Sequence, residues 1–401
     1  MLVASTRNQE FINLADAKSK EELVLLKKQN QYYCPICNES VILKIGERKR
    51  PHFAHSSLNN CIGSEGESGV HNDGKIDIYK WLKKQYENVE LEKYFPDINQ
   101  RTDILLSHNE IFLCIEYQCS KIPIAKLKER TIGYKNQGIP VLWILGLRQL
   151  LRKKNNIFRL NEISLNCMIE TNSVCIFFYD PHIKSFIRLS SLISFSSTIY
   201  IGQLTILPLK SSNFIDLGKK HQISQKQFIE SWCNLKRKYR LRQHLLINGN
   251  FYPFKQLLYK NYIPYMPGLI GVPLKENCLL HEHCIIWQGM LYLTFIYSKK
   301  RNEEICFHDM VCFVQNKIDN GCWKINVLQV LNHVTICDLI NSYLTVLEHL
   351  GIIHREKNGK IKKMVDNSNP NSLEEAFIED EKICQIAYRI LFPKKVGNYI
   401  G

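Results

Sequence analysis

The sequence predicts an α/β (α+β) protein with a central α-β-β-β-α-β core. A small cysteine- and histidine-bearing module precedes the core, and a mixed α/β region follows it. Three observations lead there. Strand-like segments around Arg101-Thr102-Asp103-Ile104 and Cys114-Ile115-Glu116-Tyr117-Gln118-Cys119-Ser120 flank a turn-like His108-Asn109-Glu110. Helical spacing brackets that pair, and the continuous apolar run Val141–Gly146 closes it. Upstream lies Cys34-Pro35-Ile36-Cys37, with further ligand-type residues within about thirty positions.

The first module spans residues 1–62. Ser19-Lys20-Glu21-Glu22 is a capping box that opens a helix over Leu23–Lys28. Cys34 and Cys37 are followed by a hairpin pattern over Val41–Arg50, then by His52-Phe53-Ala54-His55 and Cys61. A CxxC knuckle, a hairpin and a second ligand pair make a zinc-ribbon-like arrangement, since thiolates and imidazoles at such spacing close a tetrahedral site. Cys34 and Cys37 are predicted structural Zn²⁺ ligands, the others being drawn from His52, His55 and Cys61. A redox CxxC competes, but no thioredoxin-like βαβ pattern surrounds it; a metal-free coincidence is the bland alternative. So small a module gains from a metal staple.

The core spans residues 63–150. A helix is predicted from about Ser68 to Tyr86, where Ile76, Tyr79, Lys80 and Lys83 follow helical spacing. Glu67, His71 and Lys75 are each four residues apart and share one face of its start. Val89–Phe95 reads as the first strand. In Ile111–Gln118 the odd positions are apolar, while Glu116 and Gln118 lie on the even face. An even-numbered loop places Asp103 across from Cys114 or Glu116, so that Asp103, Glu116 and Gln118 share a face. Taken alone, the pattern also fits an ordinary hairpin with a solvated polar face. Two carboxylates on one face of a sheet in a basic protein point to a hard cation, Mg²⁺ or Mn²⁺, and to phosphodiester hydrolysis. A helix from about Pro123 to Gln137 follows, carrying Lys126, Lys128, Arg130 and Tyr134, and Gly138 ends it.

The order of elements and these residues resemble the PD-(D/E)XK nuclease core, which has the restriction-endonuclease-like fold. More narrowly, Tyr33 to Gly146 resembles the competence protein CoiA family. The match is carried by Cys34-Pro35-Ile36-Cys37, Pro51-His52-Phe53-Ala54-His55, Glu67-Ser68 with His71, Arg101-Thr102-Asp103, Glu116-Tyr117-Gln118 with Ser120, Arg130-Thr131 with Tyr134, and Trp143-Ile144-Leu145. The resemblance implies a metal-dependent DNA nuclease, or a nuclease-fold DNA-processing protein. It would act on incoming DNA, single-stranded by expectation, in natural transformation and recombination. Asp103 and Glu116 would be the metal-binding acids, with Glu67 as an extra metal or water ligand. His71 would contact phosphate or act as general acid or base. Lys75, Arg101, Arg130 and Tyr134 would contact phosphate; the bland reading of these side chains is a solvated or half-buried helix face. Gln118 stands where the wider superfamily has a lysine, and an amide orients a group without supplying charge. That departure favours a second expectation, a non-catalytic single-stranded-DNA-binding adaptor that assists a recombinase or another DNA-processing protein.

Charge agrees with a polyanionic partner. Lys and Arg number 53 against 38 Asp and Glu, a formal net charge of +15. A membrane surface is the weaker alternative. No apolar run is long enough to span a bilayer, and Met1–Arg7 lacks a signal-peptide apolar region. The 15 scattered cysteines suit reduced thiols, so a cytoplasmic location is expected.

Residues 151–401 form the predicted C-terminal region. Val174–Tyr179 and Phe186–Leu189 read as strands, and Cys284–Tyr297 as two strands broken at Gln288-Gly289. A helix over Gln225–Trp232 runs into Lys236-Arg237-Lys238-Tyr239-Arg240-Leu241-Arg242, the densest positive run. Lys236, Arg237, Lys238, Arg240 and Arg242 are candidate phosphate contacts, weighed evenly against a solvated helix face. Residues 335–365 read as a helix and a basic hairpin turning at Asn358-Gly359, an order that resembles the end of a winged-helix module. Val365–Asp380 reads as a linker before a last helix over Lys382–Leu391.

Overall fold

The computed structural model describes residues 1–29, 31–46, 50–56, 61, 68–242 and 249–393. Its contacts divide it into two units. The first comprises Met1–Leu150, Glu162–Leu189 and Thr205–Lys220; the second comprises Leu151–Asn161, Ser190–Leu204 and His221 onward.

The first unit opens with β1 (Val3–Thr6), β2 (Phe11–Asn13), α1 (Lys20–Gln29), β3 (Tyr32–Tyr33), β4 (Ser40–Lys44) and β5 (His52–His55). The strands form an antiparallel sheet in the order β2-β1-β3-β4-β5. Its apolar face gathers Met1, Leu14, Leu23, Tyr32, Val41, Leu43 and Phe53 into a small core.

Next come α2 (Gly69–Lys83), β6 (Asn88–Leu91), β7 (Tyr94–Phe95), β8 (Gln100–Arg101), β9 (Ile104–His108), β10 (Ile111–Gln118), α3 (Ile124–Asn136) and β11 (Val141–Gly146). Apart from the short β7–β8 ribbon, this is the expected α-β-β-β-α-β order. Strands β6, β9 and β10 are antiparallel, and β10 runs parallel to β11. The β9–β10 hairpin turns at Asn109 and Glu110, both at positive φ (47° and 62°), which matches the right-handed twist of the strands. This two-residue turn fixes the register Ile104–Ile115 and so sets Asp103 level with Glu116. The expected strand over Val89–Phe95 is instead interrupted at Glu92, whose φ is 54°.

The next elements are β12 (Leu151–Lys154), β13 (Ile157–Arg159), α4 (Glu162–Asn166), β14 (Ile169–Glu170), β15 (Val174–Asp180), β16 (Ser185–Ser194) and β17 (Ile199–Pro208). Within the first unit β15 continues the sheet beside β11, in parallel. Ile76, Ile78, Tyr79 and Leu82 of α2 pack on this sheet against Ile104, Ile115, Tyr117, Ile144 and Phe177. Gly74 sits mid-helix because α2 crosses β10 there, and a methyl group at this position would overlap the Tyr117 ring.

The second unit contains β13 paired with β17, then α5 (Gln225–Arg242), α6 (Phe251–Lys260), α7 (Cys284–Leu291), β18 (Glu304–Ile305), α8 (Phe307–Asp319), α9 (Ile336–His349), β19 (Ile353–Arg355), β20 (Ile361–Lys363) and α10 (Leu373–Leu391). The helix and hairpin read at 335–365 are α9, β19 and β20, and β18 adds a third strand to the hairpin. Three expectations are corrected here. Cys284–Tyr297 is helical: α7 continues into a π-helical turn over Tyr292–Tyr297. Every residue of α7 is buried, so its sequence carries no amphipathic period to separate helix from strand. The Gln288 amide is satisfied by Val272 and Asn277 and breaks nothing. The final helix starts at Leu373, because the Ser372 side chain caps it by accepting from the Glu375 N–H. Lys236 and Arg240 of the basic run face inward and are paired with Asp380 of α10 at 2.6 and 2.8 Å.

Among the described residues no helix is long and apolar enough to cross a membrane.

Candidate active site

Four elements of the first unit converge on one cleft. Ser68 caps α2, its hydroxyl accepting the His71 N–H at 3.2 Å, and this places His71 and Lys75 one turn apart on the face toward β9. The hairpin supplies Asp103, Glu116 and Gln118; β8 supplies Arg101; α3 supplies Arg130 and Tyr134. His71, Arg101, Asp103, Glu116, Gln118 and Arg130 line a cavity of about 540 Å³, together with Lys121 and Lys126. Asp103, Glu116 and Gln118 therefore share a cavity as the alternation of β10 predicts. Glu67 lies outside the described residues.

Asp103 is buried and heavily solvated by protein. One oxygen accepts the Tyr117 N–H at 2.9 Å, and the other faces His71 Nε2 at 3.5 Å and Lys75 Nζ at 3.6 Å. Burial opposes its ionisation, but the His71 and Lys75 charges prevail and hold its carboxyl well below the usual range. His71 is the complement. Burial alone would lower its pKa, yet the Asp103 carboxylate raises it to about 10. The ring also stacks on Tyr117, centroids 5.6 Å apart. The Asp103 carboxylate thus favours the imidazolium form of His71, which suits a phosphate contact or a proton donor.

Glu116 differs. Burial pushes its carboxyl pKa up, although Arg130 works in the opposite direction. Arg130 Nη2 and the Tyr134 hydroxyl both donate to its Oε1 at 2.5 Å, and Arg130 also donates to the Arg101 carbonyl. The Gln118 amide donates to the Ser120 carbonyl and hydroxyl, at 2.9 and 3.1 Å.

Several expected phosphate contacts take other roles. Lys75 and Tyr134 are fully buried, so neither meets solvent; each supports a carboxylate of the cleft. Arg101 and Arg130 line the cavity. In α5, Lys236 and Arg240 are buried against Asp380 and Arg237 lies over the Phe377 ring, whereas Lys238 and Arg242 are exposed. Sequence reasoning missed Glu92. It is buried, receives the Lys75 ammonium at 2.6 Å, and donates its own N–H to the Asp103 carbonyl. No local signal marks it, because the donors that hydrogen-bond to its side chain lie 17 to 90 residues away.

A second cluster lies in the amino-terminal module. Cys34, Cys37, His55 and Cys61 offer ligand atoms that all fall within 4.8 Å of one another. Cys34 Sγ is 3.7 Å from Cys61 Sγ, and Cys37 Sγ is 3.3 Å from His55 Nε2. A tetrahedron with Zn–S bonds of about 2.3 Å has ligand–ligand edges near 3.8 Å, so this Cys₃His set is compatible with zinc. Three residues from His55 along β5, His52 points elsewhere and donates Nδ1–H to the Arg50 carbonyl at 2.9 Å. Of the three open choices, the fold brings in His55 and Cys61.

Known proteins resemble this chain along most of its length. The family model "Competence protein CoiA, nuclease-like domain" matches residues 67–222. The models of the N-terminal and C-terminal domains of the same family match residues 15–64 and 228–377. The "Competence protein CoiA" of Bacillus subtilis (strain 168) is 30% identical over 290 residues, covering 71% of this chain and 76% of the relative. The chain belongs to the competence protein CoiA family. The resemblance read from Cys34-Pro35-Ile36-Cys37, Asp103 and Glu116-Tyr117-Gln118 is borne out, and a role in competence and a nuclease-like domain come with it. The CoiA nuclease-like match extends beyond β11 to take in β15, β16 and β17. No solved structure matches the chain.

Proposed function

We propose that this CoiA-family protein is a metal-dependent DNA nuclease acting on incoming DNA during natural transformation and recombination. The observation that supports this most is Asp103 and Glu116 on paired strands of one cationic cavity. An ionised Asp103 beside a Glu116 whose Oε1 accepts from both Arg130 and Tyr134 is a donor set suited to Mg²⁺ or Mn²⁺. When bound, such an ion polarises the phosphate and lowers the pKa of attacking water. The protein's own groups do the rest. Arg101, Arg130 and Lys126 attract and orient the phosphodiester, and the His71 imidazolium donates a hydrogen bond or a proton to a departing oxygen. Gln118 orients water or phosphate without adding charge.

The test is cleavage of labelled single- and double-stranded DNA with Mg²⁺, Mn²⁺ or EDTA, for the intact protein beside Asp103→Ala and Glu116→Ala. Metal-dependent cleavage is expected, reduced at least about 10²–10³-fold in each variant. Unchanged cleavage in both would remove the site assignment.

The second reading is a non-catalytic adaptor that binds single strands and assists a recombinase or other partner. Its specific support is Gln118 in place of a lysine, with its amide turned to Ser120. Binding without cleavage under every metal condition, with steep salt dependence, selects it. In either reading the Cys34–Cys37–His55–Cys61 set holds structural Zn²⁺. Metal analysis is expected to give one zinc per chain, lost in Cys37→Ala.

A further inference from the structure

The acid that sequence reasoning missed links the two halves of the first unit. Glu92 is buried, with a side chain 1% exposed, and leaves β6 in a left-handed conformation that a non-glycine residue adopts only at a cost. That conformation turns its carboxylate away from solvent, into three hydrogen-bond donors and one further cation. Oε1 accepts the Lys75 ammonium at 2.6 Å. Oε2 accepts the backbone N–H of Leu2 at 2.7 Å and of Val3 at 3.1 Å, and Arg101 lies 3.8 Å away. The backbone of Glu92 meanwhile hydrogen-bonds to Asp103 itself, its N–H donating to the Asp103 carbonyl at 2.9 Å. Lys75, completely buried, therefore stands between two acids, 2.6 Å from Glu92 and 3.6 Å from Asp103.

A buried ammonium carries its full charge to whichever acid is near, because little water is present to screen it. The Glu92 carboxylate adds an opposing negative potential, so the net positive field that Lys75 sets up at Asp103 is smaller than the ammonium alone would give. We propose that Glu92 is a positioning residue of the cleft. Its negative charge offsets the Lys75 ammonium beside Asp103, and the amides of Leu2 and Val3 from the amino-terminal sheet hold it in place. The binding strength of a divalent cation at Asp103 is thereby set partly by the module that carries the Cys₃His cluster. The inference rests on the reading of Asp103 and Glu116 as cation ligands.

The experiment is Mn²⁺ binding to the full chain in solution, by titration calorimetry and by the electron paramagnetic resonance signal of free Mn²⁺, with no DNA present. Folding is checked by circular dichroism. Glu92→Gln keeps the shape and an acceptor for the two amides but discards the charge that holds Lys75. Mn²⁺ affinity is expected to fall about tenfold, as the Lys75 charge beside Asp103 is no longer offset. The double variant Glu92→Gln/Lys75→Met removes the competing cation and is expected to return to within about threefold of the intact protein. If Glu92→Gln does not fold, Lys75→Met alone carries the test, with Mn²⁺ affinity expected to rise at least about threefold. A folded Glu92→Gln that binds Mn²⁺ like the intact protein overturns the inference while leaving the cation site standing, as does a Lys75→Met variant with unchanged affinity. Intact protein that binds no more Mn²⁺ than Asp103→Ala overturns the metal-site reading itself, and this inference with it.

Discussion

Two regions of the molecule press cations against buried acids. In the cleft, His71, Lys75 and Arg130 meet Asp103, Glu92 and Glu116; between α5 and α10, Lys236 and Arg240 meet Asp380. The local chemistry is alike, but the surroundings differ. Asp103, Glu116, His71 and Arg130 line a cavity, so an ion or phosphate from solvent can exchange with the protein's own partners. Asp380, Lys236 and Arg240 are each 2–3% exposed, and they exchange with nothing. Ion pairs of the first kind are available for chemistry, whereas those of the second kind fix how helices pack.

The sharpest way to break that comparison is Asp380→Asn. It leaves two buried cations without their anion, and unfolding in urea is expected to show a loss of about 3–5 kcal/mol. DNA cleavage per folded molecule should not change. Asp103→Asn should abolish cleavage, while the urea midpoint reports a smaller stability loss than Asp380→Asn, because Asp103 and His71 line an open cavity where solvent compensates. Similar stability losses in both would show that the cleft is scaffolding too.

Tyr134→Phe comes next. Glu116 loses one of two donors on Oε1, and a loss of about 1–2 kcal/mol is expected from the buried hydrogen bond. Its carboxyl would also become easier to protonate, so the pH at which cleavage switches on should move upward.

The second unit carries its own pH dependence. The His283 Nδ1 accepts the Ile285 N–H at 3.2 Å and caps α7, so that nitrogen must be unprotonated. Phe195, Tyr239 and Phe251 enclose the ring. Burial lowers its pKa to about 3, whereas an unfolded histidine titrates near about 6.5. The unfolded chain then binds the extra proton, so stability is full above about pH 6.5 and declines as pH falls toward about 3, by up to about 1.4 kcal/mol per unit. Thermal melts from pH 7 to 4 should show this slope, and His283→Asn, which keeps a capping acceptor, should flatten it.

The smallest stability effect is expected from Lys238→Ala with Arg242→Ala. Both side chains are exposed, so folding should change by less than about 0.5 kcal/mol. If they touch phosphate, the salt slope of DNA binding falls by about one per charge removed. An unchanged slope makes them solvated surface.

What the sequence disclosed and what it hid divide along the same line. The β9–β10 face was legible because strand alternation is local and Asn109-Glu110 allows one tight turn. The CxxC and its partners were legible by type, although the choice of His55 over His52 needed the actual exit of β5. The ends of α2 and α3 were readable from Ser68 and Gly138. Burial was not readable. Lys75, Tyr134, Lys236 and Arg240 look like solvated cations or ring edges within their own helices, and only acids 17 to 144 residues away draw them inward. The α7 run failed for a related reason, since a helix buried all round carries no period. The start of α10 was readable after all in Ser372 and Glu375, but the polar composition before it masked the cap.

Gly74 carries one last consequence. The ring of Tyr117 occupies the space where a side chain would begin, and His71 and Lys75 stand on the same helix, three residues before it and one after. Any added bulk at 74 acts as a wedge that lifts both groups together, leaving each side chain chemically intact but out of reach. The gauge of the cleft is set there, by an atom that is missing, and Gly74→Ala would widen the jaws without blunting a tooth.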